Sequence, residues 1–91
     1  MKLDILKSLQ ELLKTLEQCK TQEKDEKTVE LYNLHINRTS ETIEKLKKDG
    51  LDKMLIDNFF EQEGRGYGWS YLPNENGRIA EAAFWNLKKK N

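Results

Sequence analysis

Apolar positions recur along this chain with helical spacing in four places, and one stretch between the third and the fourth breaks the habit. From residue 3 to about 21, Ile5, Leu9, Leu12, Leu16 and Cys19 alternate by four and three, and Leu6 and Leu13 widen the stripe on one side. This is the broad apolar face of a bundle helix rather than the narrow two-position seam of a coiled coil. Lys7, Glu11, Lys14 and Gln18 form the wet face. From Thr28 to Asp49 the positions Val29, Tyr32, Ile36, Thr39, Ile43 and Leu46 keep one phase, which predicts a single second helix. His35 falls at the edge of that stripe, and Leu34 falls on the opposite side. Lys47 and Lys48 followed by Gly50 make a helix ending, with cations beside the exposed carbonyls and then a residue free to adopt positive φ.

Between these two stripes, residues 21–27 contain no apolar side chain, no glycine and no proline. Either a tight turn near Lys24 and Asp25 folds the chain into a hairpin, or one long helix runs through and pairs with another chain. The hairpin is the favoured reading, because it lets both stripes bury each other within one molecule. Asp25 is then the N-cap of the second helix.

Leu51, Met54, Leu55, Ile56, Phe59 and Phe60 cover most of the circumference of a third helix and leave Lys53, Asp57 and Glu61 as a narrow polar strip. That pattern predicts a core helix covered on several sides. A last helix, capped by Asn74 or Asn76, buries Ile79, Ala80, Ala83, Phe84 and Leu87 and projects Trp85 to the other side. Its terminal run Lys88, Lys89 and Lys90 suits a helix C-terminus. The expected fold is therefore all-α, a single domain over 1–91. It has a long N-terminal antiparallel helical hairpin (3–48), a core helix (52–62), a loop rich in glycine and aromatics (63–76) and a C-terminal helix (77–89).

Composition narrows the function classes. With 36% hydrophobic and 35% charged residues there is little apolar surface to spare, and a chain this short buries only about 60% of its unfolded surface. Pairing with a second copy or another protein would relieve the shortage. The 16 basic and 16 acidic side chains cancel, so net charge supplies no general attraction to nucleic acid or to an anionic membrane. The one cysteine, Cys19, cannot form an internal disulfide and reads as a small buried hydrophobe. No uninterrupted apolar run is present at the start of the chain or anywhere along it, so neither a signal peptide nor a membrane span is expected, and the location expected is cytoplasmic.

Candidate chemistry is concentrated in residues 64–78, which hold four of the five glycines, the one proline, two of the three tyrosines and one of the two tryptophans. Arg65, Tyr67, Trp69 and Tyr71 alternate with Gly66, Gly68 and Ser70. In an extended chain, period two places all four large side chains on one face. They either lid the helices or present a surface. Tyrosine, tryptophan and arginine are the residue types enriched at interface hot spots. Arg65, Tyr67, Trp69, Tyr71, Arg78 and Trp85 are therefore the candidate partner-binding set.

The favoured function is a small non-enzymatic protein–protein interaction module, a regulator or inhibitor of the kind bacteria and phages encode, whose partner is another protein, a second copy, or both. The alternative is single-stranded nucleic-acid binding, with Arg65, Tyr67, Trp69 and Tyr71 as cations beside stacking rings. Against it stand the zero net charge and the acidic neighbours Glu61, Glu63 and Glu75. Catalysis is not expected. The run from Gly64 to Gly68 follows a helix, has the wrong glycine spacing and lacks the lysine of a phosphate loop. Cys19 and His35, the one conventional nucleophile and base, fall on different levels of the hairpin. The carboxylates Asp52, Asp57, Glu61 and Glu63 show no ligand spacing, so no metal or cofactor is expected.

Overall fold

The polar stretch after Gln22 is a turn, and the chain doubles back there to form the expected hairpin. The computed structural model describes residues 2–50, 52–64 and 75–90, as four helices: α1 (Lys2–Gln22), α2 (Glu26–Asp49), α3 (Lys53–Glu63) and α4 (Glu75–Lys90). Without glycine or proline, the turn is made by two carboxylates. Glu23 Oε1 accepts from the amides of Lys24 (3.2 Å) and Asp25 (3.4 Å), which diverts those donors from a continuing helix. Asp25 then caps α2, accepting from the Thr28 amide at 3.0 Å and from its hydroxyl at 2.8 Å. The Thr28 hydroxyl, followed by the Thr28 amide, holds the Asp25 carboxyl below its ordinary pKa. α2 ends at Gly50, whose φ of 84° is the positive value that only glycine adopts freely, and its amide returns to Leu46 O at 3.0 Å. Asp52 then starts α3, accepting from the amides of Met54 and Leu55.

α1 lies between α2 and α4, and α3 packs on α2. The stripe Ile5, Leu9, Leu12, Leu16 and Cys19 is buried, with Leu9 and Leu16 wholly sealed and Leu6 and Leu13 half-covered beside them. Each such leucine contributes roughly 1.5–3 kcal/mol by leaving water. The other half of the core is aromatic. Phe59 and Phe60 from α3 meet Phe84 from α4 at ring-centroid distances of 6.3 and 6.1 Å, and meet each other at 5.5 Å. The two contacts to Phe84, one edge-on and one tilted, join α3 to α4.

The packing departs from the sequence reading at several points. On α2 the buried line is Thr28, Tyr32, His35, Thr39, Thr42, Ile43 and Leu46, while Val29 and Ile36 are only half-buried. The helix is thus rotated toward its threonine side. Thr39 and Thr42 can be buried because their hydroxyls donate to the carbonyls of His35 (2.7 Å) and Arg38 (2.9 Å) one turn back. Met54 is exposed, so α3 is covered on one side and not sheathed as expected. Ile79, expected in the buried face of α4, is 51% exposed, and that face is instead Gly77, Ala80, Phe84 and Leu87. Glu63 closes α3 instead of opening the loop, and α4 starts at Glu75, so Asn76 lies inside the helix and is not its cap. Asn74 lies outside the described residues.

Candidate functional site

Two groups of polar or exposed side chains stand out from this scaffold, one inside and one outside. The inner group forms where the last turn of α3 meets the middle of α2. Burying Phe59 and Phe60 turns the next inward position, Glu63, into the protein, where it is 2% exposed. Its carboxylate accepts from His35 Nδ1 on Oε2 and from Arg38 Nη1 on Oε1 at 3.4 Å. His35 is itself sealed at 1% exposure, whereas Arg38 keeps its head partly in water. A buried carboxylate requires such company, since an isolated one would cost far more than the fold could offset. The sequence places His35 at the edge of a stripe; the structure buries it as the hydrogen-bond partner of Glu63. A groove of about 150 Å³ runs beside the cluster between α2 and α3, lined in part by Arg38, Thr42, Lys45, Asn58 and Gln62.

On the α1 side of the core, Tyr32 is fully buried, and its hydroxyl has no hydrogen-bond partner among the described residues. Burial, with smaller contributions from Cys19 and Glu23, pushes its pKa up to about 12. Cys19 donates to the Asn76 carbonyl at 3.4 Å, and burial raises its thiol pKa, so it is a packing residue with a local bond to α4 rather than an activated nucleophile. Tyr32→Phe removes a hydroxyl that has no described protein partner, so the variant is expected to be as stable as the parent or slightly more so. The unfolded chain ionises this tyrosine from about pH 10, whereas the folded chain resists until about 12. This contribution to stability is therefore complete below pH 10 and is lost as pH rises through 12. Urea titrations at neutral pH and above pH 10 check both statements; a loss of stability in Tyr32→Phe at neutral pH contradicts the first.

The outer group lies on α4. Trp85 rests one ring edge-on against Phe84 at 5.1 Å and leaves 37% of its surface in solvent. Glu81 Oε2 accepts from its indole N–H at 3.3 Å, and Lys88 Nζ lies 5.0 Å from its ring centre. Lys88 also reaches the end of α3: an ideal Cβ placed on Gly64 would lie 3.0 Å from Lys88 Nζ. The indole is thus held in one orientation from both sides. Ile79 and Ala82 are exposed on the same side of the helix, with Glu75 and Arg78 around a shallow depression.

Of the sequence-predicted site residues, Arg78 and Trp85 are brought onto this exposed side of α4. Arg65, Tyr67, Trp69 and Tyr71 lie outside the described residues. Sequence reasoning missed the roles of Glu63 and Ile79. For Glu63 a usable signal is its spacing of four and three from Phe59 and Phe60, which puts it in the apolar sector of α3. Among the described residues no cluster of three or more His, Cys, Asp or Glu side chains could hold a metal, and no described helix is long and apolar enough to cross a membrane. Comparisons with protein-family models, characterised proteins and solved structures find no match.

Proposed function

We propose that this chain is a small protein-binding module whose partner docks on the outer side of α4, and that Arg65, Tyr67, Trp69 and Tyr71 also take part in binding it. One observation carries the reading. Ile79 and Trp85, two large apolar side chains, stand exposed on one side of a helix whose opposite side is fully committed to the core. Neither belongs to the buried cluster that Leu9, Leu16, Phe84 and their neighbours form. Trp85 has the properties of a hot-spot anchor: a large ring, fixed by Phe84, Glu81 and Lys88, with little conformational freedom left to lose on binding. The scaffold holds the ring and the partner covers it.

Trp85→Ala is expected to shift the thermal midpoint by only a few degrees, corresponding to a loss of about 1 kcal/mol or less. The same change is expected to abolish capture of a protein partner from a lysate of the native host, as is Trp69→Ala to a smaller degree. A collapse of thermal stability in Trp85→Ala would make the indole part of the core and remove the basis of the reading. Capture that consists of nucleic acid and falls steeply with salt would move the function to single-strand binding.

A further inference from the structure

Read outward from Ala82, the exposed side of α4 is self-complementary when run in the opposite direction. Ile79 and Trp85 lie three residues to either side of Ala82, and Glu75 and Lys89 lie seven residues to either side. All five are exposed. Positions 75, 82 and 89 follow heptad spacing, so they stay on one line of the helix with a drift of only about 20° per heptad. We propose that the partner on this face is a second copy of the chain, with the two α4 helices packed antiparallel across a two-fold axis at Ala82.

The proposal rests on the reading of α4 as an interface and names its occupant. A two-fold axis forces reciprocity: whatever residue i of one copy meets, its partner's residue i meets in return. Antiparallel helices centred on position 82 place residue 82 minus k of one copy opposite 82 plus k of the other. Glu75 then meets Lys89 of the second copy, twice, near the centre line of the contact, while Ile79 lies level with Trp85 of the second copy, the two apolar side chains flanking the seam on opposite sides. A parallel arrangement would instead set Glu75 against Glu75 and Lys89 against Lys89, which like charge disfavours. Ala82 at the crossing is small enough to let the helix axes approach to about 8–10 Å, the separation of well-packed helices. Size at the axis and charge at the two ends select one direction and one register.

The test is the solution mass of the full chain by sedimentation equilibrium over a wide concentration range. The proposal expects a monomer–dimer equilibrium that Ala82→Arg, which sets like charges on the axis, abolishes without loss of helicity. Glu75→Lys and Lys89→Glu alone should each weaken dimerisation by roughly three- to tenfold, exposed ion-pair energies counted twice by symmetry. The double swap Glu75→Lys/Lys89→Glu recreates both pairs and should recover the parental constant. A monomer at every concentration, a dimer indifferent to Ala82→Arg, or a double swap no better than the singles overturns the proposal. If the parent is monomeric yet captures a different protein that Ala82→Arg no longer binds, the interface reading of α4 stands and self-pairing falls. If neither self-association nor capture depends on Ala82 or Trp85, both fall.

Discussion

Phe84→Ala is expected to cost about 3–5 kcal/mol of folding stability, the range for deleting a fully buried aromatic side chain. Phe84 has no exposed surface and touches three other rings, Phe59 and Phe60 of α3 and Trp85 of its own helix. Truncation removes the transfer free energy of the ring and leaves a cavity where α3 and α4 meet. Rigid neighbours, the two phenylalanines fixed edge-on to one another, limit collapse into that space. In a domain whose total stability is about 5–15 kcal/mol, such a loss takes a large share. Urea denaturation of the variant measures it, and Phe59→Ala is expected to show a loss of similar size, about 3–5 kcal/mol. A loss below about 1 kcal/mol at either position would mean that the aromatic cluster does not join these helices.

His35→Ala is expected to cost about 3 kcal/mol, because it leaves the buried Glu63 side chain without the hydrogen bond from Nδ1. The Glu63 carboxylate would stay sealed between α2 and α3 after losing the hydrogen bond from Nδ1, with Arg38 Nη1 at 3.4 Å. Arg38→Ala should cost less, since that side chain is 42% exposed and solvent already screens it. The decisive comparison is the double variant His35→Leu/Glu63→Met. Replacing both members of a buried pair with apolar groups is often neutral or stabilising, so the double variant should be more stable than His35→Ala. A double-mutant cycle in urea measures the coupling; additive losses at His35 and Glu63 would contradict a paired role.

These two predictions mark what hydrophobic periodicity can and cannot reveal. The four helices, the hairpin, the Asp25 cap and the Gly50 stop are legible because each rests on local chemistry: a repeat, an acceptor before a helix, a residue free to adopt positive φ. The burial of Leu9, Leu12, Leu16 and Phe84 follows from the same repeats. The rotation of α2 is not legible in that way, because side-chain apolarity ranks Val29 and Ile36 above Thr28, Thr39 and Thr42. The threonines can lie inside only because their hydroxyls bond locally, to Asp25 Oδ2 or to a carbonyl one turn back. His35 and Glu63 are 28 residues apart, and no local pattern pairs them.

Exposure failed in the other direction. Met54 and Ile79 are apolar residues at plausible core positions, yet α3 and α4 each have only one side to bury in so small an assembly. On α4 the consequence bears on function, because Ile79 joins Trp85 on the outside and widens a surface that the sequence credited to Trp85 and Arg78.

Trp85 lies at the surface, outside the buried core. Acrylamide quenching of its fluorescence in a Trp69→Phe chain, where Trp85 is the one indole, tests this directly in dilute solution. The predicted result is a native circular dichroism spectrum together with a red-shifted emission that acrylamide quenches readily. A native spectrum with blue, quencher-resistant emission would place the ring inside the protein and contradict the account.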